Sequence, residues 1–305
     1  MPNPAAESWL DDVWPRLTAA TGVGYVAVAY GVSRWLTRPS PATVSTTLRF
    51  AMARVEPLQC VTCDGILLQG WVVEPPAPRA TVALFHGLRG NRSALVERID
   101  FLTRAGYRCV AFDHRAHGES GGAFASFGYH ERHDAIAVAE LILSRWSDQP
   151  CAAMGISMGA AALCFAGRSA SGFQALILES MYYDLHRAFH HRVGCGYPGW
   201  LRHFRRGIIW FIERRLNARI EQIAPVDQMA GLAPRPVLLI TGGDDPHAPP
   251  NEVQALAEKL PGAAFQTVPG TGHGDVCDLG GAFYRDLILG FLGEQLFTGR
   301  LSSAA

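Results

Sequence analysis

The sequence predicts an α/β protein with a mostly parallel central sheet, helices on both of its faces and a helical insertion. Three observations carry this. Short apolar runs alternate with helical stretches from Leu58 onward, the pattern of successive βα units. The run Thr81–Phe85 (TVALF) is apolar without alternation, as a strand covered on both faces must be. One interval, residues 181–224, breaks the rhythm with helical spacing and no strand.

Each element follows in order. Leu58–Cys63 and Ile66–Val73 flank Asp64-Gly65, a hairpin signal. After Thr81–Phe85, residues Ser93 to Ala105 read as a helix, with Ser93 as N-cap and Gly106 as the stop. Arg108–Phe112 is a strand, and Arg132 to Trp146 is helical by the spacing of Ile136, Ala139 and Leu143. Cys151–Met154 is a strand, Met158 to Gly167 a helix and Ala175–Leu178 a strand. Val237–Ile240 and Phe265–Val268 complete the strands, with a helix near Asn251–Leu260 between them, and Phe283 to Leu296 closes the chain. Within 181–224, helical stretches run over Tyr183–Arg192 and Trp200–Leu216, and Leu201, Phe204, Ile208, Phe211 and Ile212 form a buried stripe. Eight arginines there face only Asp184, Glu213 and Glu221. Their expected place is the solvated face of a helix; the other reading is recognition of an acidic substrate or an anionic membrane surface.

Composition narrows the classes. The chain has 305 residues, 49% apolar and 18% charged, with 27 basic and 27 acidic side chains. That apolar fraction at zero net charge excludes disorder. The absence of a basic excess argues against a nucleic-acid partner. The seven cysteines are odd in number and scattered, which argues against a secreted disulfide framework. Cys60-x-x-Cys63 lies in an extended run, where positions three apart face opposite sides. His130 and His133 lack a third partner, so no metal is expected, and no glycine-rich loop opens a helix for a nucleotide cofactor.

The chain divides into residues 1–57, a hydrophobic segment with a Pro/Ser/Thr-rich connector, and residues 58–305, the main domain with its insertion. Leu17 to Ser33 carries no charge, and the stretch 17–36 has two readings: a membrane anchor, or a helix packed on the domain. It is not a standard signal peptide, because Glu7, Asp11 and Asp12 precede it. If it spans a membrane, Arg34, Arg38, Arg49 and Arg54 place the main domain in the cytoplasm; if it packs, the protein is cytoplasmic without an anchor.

The chemistry centres on Gly155-Ile156-Ser157-Met158-Gly159, between a strand and a helix of small residues. A serine hydroxyl can stand clear on so sharp a turn only if its flanking positions are glycine. His86-Gly87-Leu88 follows the first buried strand, so that the Leu88 and Met158 amides can point at a carbonyl oxygen as it turns tetrahedral. Asp244 and Asp245 follow the strand Val237–Ile240, and His273 follows the last strand in Gly-Thr-Gly-His-Gly. The order Ser, Asp, His completes the pattern.

At these residues the sequence resembles the α/β-hydrolase family, from about Leu58 to Leu296. Asp113-His114-Arg115-Ala116-His117-Gly118-Glu119-Ser120 is similar to the family's D-x-R-G-x-G-x-S loop, with Ala116 in place of the usual glycine. Phe127 to Asp134 resembles a segment of bacterial hydrolases that often carry an N-terminal hydrophobic anchor. The resemblance implies Ser157 as nucleophile, His273 as the base and then the acid, Asp245 as its orienting carboxylate, and the Leu88 and Met158 amides as the oxyanion hole. Asp245 is preferred over Asp244 because Pro249 falls four residues later, the usual spacing in look-alikes. The expected activity is cleavage of an ester, or an amide, through an acyl-enzyme. The alternatives are acyl transfer to an alcohol or thiol by the same groups, and a scaffold protein without catalysis. A dehalogenase would need Asp at position 157, and a dienelactone-type hydrolase Cys.

Overall fold

The computed structural model describes residues 22–44, 50, 53–195 and 197–297. Residues 17–21 of the uncharged stretch and 45–49 of the connector, Arg49 among them, lie outside the described residues. Eight strands form one sheet: β2 (Arg54–Val61), β3 (Leu67–Glu74), β4 (Ala80–Phe85), β5 (Tyr107–Phe112), β7 (Cys151–Ile156), β8 (Ala175–Glu179), β9 (Val237–Gly242) and β10 (Ala264–Val268). Their spatial order is β10-β9-β8-β7-β4-β5-β3-β2. The β2–β3 and β3–β5 pairs are antiparallel, and every other pair in this sheet is parallel. A separate two-residue parallel pair joins β1 (Ser40–Pro41) to β6 (His117–Gly118).

The burial of the strands explains their composition. All residues of β4, β5, β8 and β9 are buried, because helices cover both faces and leave no side for polar residues. The edge strand β2 buries only Leu58 and is otherwise exposed or half-buried, in a hairpin register fixed by the turn at Asp64-Gly65. On one face pack α3 (Arg132–Arg145), α4 (Met158–Ala166) and α7 (Pro250–Ala257), with Val138, Ile142, Leu163 and Val253 buried. On the other lie α2 (Val96–Arg104) and α8 (Val276–Phe297), burying Ile99, Leu102, Ile288 and Leu292.

Two element ends differ from the sequence reading. The turn before α2 is 3-10 in form and is capped by Asn91, whose side chain accepts the Ser93 amide hydrogen at 2.8 Å. Ser93 is inside it, since Asn and Ser compete for the same role and Asn91 comes first. The closing helix begins at Val276, seven residues before Phe283, and is kinked at Gly281, where φ is +54°.

The insertion folds as α5 (Leu185–Cys195), a 3-10 segment (Gly199–Phe204) and α6 (Arg205–Leu216). Leu201, Ile208 and Ile212 of the expected stripe are buried, and Phe204 and Phe211 half-buried. Residues 22–36 are helical (α1) and pack on this insertion. Tyr25 stacks on Phe204 with ring centres 5.0 Å apart, Tyr30 meets Phe211 edge-on at 5.3 Å, and the Tyr25 hydroxyl accepts the Gly207 amide hydrogen at 3.2 Å. Val23 and Val26 on α1 are exposed, and Tyr30 stays half exposed beside Phe211. Among the described residues no helix is long and apolar enough to cross a membrane.

Candidate active site

Ser157 sits at the tip of β7 with φ +51° and ψ −106°, a conformation that a residue with a side chain adopts at a cost. The flanking glycines make the turn possible. A Cβ at Gly155 would lie 2.5 Å from the Ala160 nitrogen, and one at Gly159 would lie 2.7 Å from the carbonyl carbon of Phe85 on β4. The Ser157 amide donates to the Glu179 carbonyl on β8 at 2.8 Å, which ties the turn to the next strand.

The structure brings Ser157, His273 and Asp245 together from three strand ends. The Ser157 Oγ lies 3.1 Å from His273 Nε2, within hydrogen-bond reach. His273 Nδ1 lies 2.9 and 3.1 Å from the two Asp245 oxygens. That arrangement fits the tautomer in which Nδ1–H donates to the carboxylate and Nε2 accepts the serine proton. Asp245 is buried, and its Oδ1 also accepts the His247 and Ala248 amide hydrogens at 2.8 and 2.9 Å. Burial pushes its pKa up, but the hydrogen bond and charge of His273 and the two amides outweigh this and hold it at about 2. Asp244 is exposed, and among the described residues it makes no hydrogen bond or ion pair with His273; its amide donates to the Thr271 carbonyl.

Leu88 and Met158 line the same cavity as Ser157 and His273. The loop that carries Leu88 is pinned from below by histidines. His117 Nε2 accepts the Arg89 amide hydrogen at 3.1 Å, and its Nδ1–H donates to the Arg115 carbonyl at 2.8 Å. His86 Nε2 accepts the His114 amide hydrogen at 3.0 Å, and its Nδ1–H donates to the Gly87 carbonyl at 2.7 Å. Burial, reinforced at His86 by the other rings, lowers the pKa of both, which keeps these accepting nitrogens unprotonated.

The Asp113–Ser120 loop anchors the assembly. Asp113 accepts the amides of Arg92 and Glu119 at 2.7 and 2.9 Å and pairs with the Arg92 guanidinium. Ala116 adopts φ +60°, so the turn forms although an alanine stands where the family pattern has glycine. Asp134 accepts the Arg115 amide and Nε hydrogens at 2.8 and 2.7 Å, and Glu131 holds the Ser126 and Gly128 amides at 2.8 Å each. These two carboxylates explain the Phe127–Asp134 segment as a brace for the cavity wall. His130 Nε2–H donates to the Leu216 carbonyl at 2.7 Å, and His133 meets the Cys63 sulfur at 3.4 Å, so the two rings are engaged separately.

Sequence reasoning did not single out the cavity walls. They come from Leu36 on α1, Phe127, Tyr182, and Leu185, Phe189, Arg192, Ile209 and Ile212 of the insertion, with His247 beside His273. Arg192 is therefore not on the solvated face expected for the insertion's arginines, whereas Arg202, Arg205, Arg206, Arg214 and Arg219 are exposed. The signal for His247 was present in Asp-Asp-Pro-His-Ala-Pro, two residues past Asp245. The walls contributed by α1 and α5 depend on packing between segments far apart in sequence and leave no local signature.

Comparison with known proteins adds to this geometry. Residues 76–222 match the profile described as serine aminopeptidase, S33, and residues 217–294 match that described as TAP-like protein. An uncharacterized Bacillus subtilis protein, YqkD, is 27% identical over 207 residues; the match spans 65% of this chain and 66% of that relative, just under two thirds of its length. The Pyrococcus furiosus esterase Pf2001 superposes with a TM-score of 0.71 at 21% identity, covering 85% of this chain and 98% of the other. Est1E from Butyrivibrio proteoclasticus, solved with ferulic acid bound, superposes with a TM-score of 0.58 at 18% identity, covering 76% and 98%. Two hydrolase profiles that together run from residue 76 to residue 294, laid over a sheet of this strand order, make the chain a member of the α/β-hydrolase superfamily.

Proposed function

We propose that the protein is a serine hydrolase that cleaves a carboxylic ester through an acyl-enzyme on Ser157. The observation that carries this reading is the chain of contacts from Ser157 Oγ through His273 to buried Asp245. As Oγ attacks the ester carbonyl carbon, its proton passes to His273 Nε2. Asp245 holds the ring and stabilises its positive charge. The negative oxygen of the tetrahedral intermediate is met by the amides of Leu88 and Met158. Collapse breaks the C–O bond, and His273 returns the proton to the leaving alcohol. A water then repeats the sequence on the acyl-enzyme, releasing the acid and regenerating Ser157.

The same groups could cleave an amide, and one matching profile is described as an aminopeptidase. An aminopeptidase must hold the substrate's ammonium group, for which a carboxylate is the natural partner. None of the residues lining the cavity carries a carboxylate, and Arg192 is there instead. This favours an ester. Acyl transfer differs only in the second nucleophile, and product analysis with added alcohols or thiols separates the two.

The deciding experiment is labelling with a fluorophosphonate, read by peptide mapping, alongside hydrolysis of p-nitrophenyl acetate. Modification at Ser157 and a loss of turnover by at least about 10³-fold in Ser157→Ala are expected. Full turnover in that variant, or no labelling of the intact protein, refutes the reading.

A further inference from the structure

The cavity combines apolar walls with a cation, Arg192. Leu36, Phe127, Leu185, Phe189, Ile209 and Ile212 suit a hydrocarbon arm. Arg192 on α5 lines the same space, and among the described residues no carboxylate pairs with it. Its neighbour on the helix, Arg187, contrasts with it, lying 3.4 Å from Asp184 and 3.3 Å from Glu252.

Two more guanidinium groups lie close by. Arg89 directly follows Leu88 and packs over the Trp35 ring at 4.1 Å, with Arg38 over the same ring at 5.5 Å. Trp35 in turn meets Tyr197, a cavity residue, edge-on at 5.3 Å. Among the described residues the buried Nε of Arg89 has no hydrogen-bond partner, and the side chain makes one hydrogen bond, 3.4 Å to the Trp35 carbonyl. Burial, and then the charges of Arg38 and Arg192, lower the pKa of Arg89. Like charges gathered without a counterion raise the energy of the empty site, and a bound anion relieves that cost.

We infer that the substrate is an amphiphilic ester: an apolar arm fills the cavity and an anionic oxygen group, a carboxylate or a phosphate, is held by Arg192, with the charge of Arg89 behind the Trp35–Tyr197 wall adding to the attraction. This rests on the hydrolase reading for the ester bond but not for the anion site, and the test separates the two. Binding of octanoate, octyl phosphate and octanol to the full chain is measured by calorimetry at low and at 0.5 M salt. At least one of the two anions is expected to bind about tenfold or more tightly than octanol at low salt. The tighter of the two identifies the carboxylate or the phosphate as the group recognised. High salt and Arg192→Gln should each erase most of that preference, with Arg192→Lys retaining part of it.

In parallel, kcat/KM is compared for a p-nitrophenyl hemiester of a dicarboxylic acid and a neutral p-nitrophenyl ester of equal chain length. The charged-to-neutral ratio should exceed one and fall about tenfold or more in Arg192→Gln. Anion-selective binding with neither ester hydrolysed leaves the anion site standing and counts against the hydrolase reading. Equal binding of octanol and both anions by the wild-type protein, or a kinetic ratio of one or less, overturns the inference and leaves the hydrolase reading intact. The wild-type comparison and its salt dependence need no variant, so a misfolded Arg192→Gln protein does not blunt the test.

Discussion

Gly159 on α4 and Phe85 on β4 approach so closely that a methyl group between them would displace one or the other; the missing Cβ would lie 2.7 Å from the Phe85 carbonyl carbon. Phe85 precedes the His86-Gly87-Leu88 loop, so this contact sets the spacing between the serine turn and the loop that carries the Leu88 amide. Gly159→Ala is expected to cost roughly 1–3 kcal/mol of stability. It should also slow fluorophosphonate labelling of Ser157, because the backbone shift spreads the two amides. Urea unfolding and labelling rates, measured on the same protein, check both.

Replacing Asp245 by Asn leaves the shape of the site but removes the charge and allows the wrong tautomer of His273. A fall in kcat of about 10³- to 10⁴-fold with little change in KM is expected. Steady-state kinetics on a p-nitrophenyl ester reads it. An equal loss in Asp244→Asn would contradict the geometry.

The same carboxylate links folding to acid. Its folded pKa, about 2, is below that of an unfolded aspartate, about 3.9. The stability it contributes is therefore complete above pH 4 and disappears as the pH falls through 2. His273→Ala removes the main cause of the shift, so stability between pH 4 and pH 2 should fall less steeply in that variant. Denaturant unfolding across this range measures the difference.

His117 carries the opposite risk, because a proton on Nε2 would set one N–H against another at Arg89. Its folded pKa is depressed, so the unfolded chain takes up the proton first, near pH 6.5. Stability should decline as the pH drops below that value, by up to about 1.4 kcal/mol per unit for this ring. His117→Gln offers a carbonyl to Arg89 and an amide to Arg115 but does not titrate. Its stability loss from pH 7.5 to 5.5 should be shallower than that of the wild type, though not absent, since His86 titrates in the same sense.

Beneath the serine turn, Arg98, Glu179 and Tyr284 form a buried set: the guanidinium lies 2.6 Å from a Glu179 oxygen, and the Tyr284 hydroxyl donates to the other at 2.5 Å. Glu179→Ala strands the Arg98 charge and should destabilise by about 3–5 kcal/mol. The double change Arg98→Met with Glu179→Ala should cost less than the single one, since no bare charge remains. Thermal or urea unfolding of the two variants decides it.

Much of this architecture could be read from the chain itself. Strands such as Thr81–Phe85 announce themselves because burial on both faces forbids polar residues, and Ser157 does so because only glycine fits beside it. Asp245 and His273 are legible because each follows a strand that ends at the same edge. The cavity walls were not, since Leu36 and Arg192 reach the site through contacts between α1, α5 and the sheet that no local pattern records. Ala116 shows the limit of pattern matching: the loop reaches φ +60° there because the flanking hydrogen bonds, Ser40 to its carbonyl and its own amide to Gly121, both 2.7 Å, hold it.

Leu36 gives the amino-terminal helix a share in the cavity wall. A chain beginning at residue 54 would keep the whole eight-stranded sheet and all three polar groups, yet lose one side of the vessel, lined by Leu36. On the proposed function, such a shortened chain is expected to react still with small probes but to discriminate less among longer acyl chains, so selectivity profiles gathered on truncated material would describe a different, leakier catalyst.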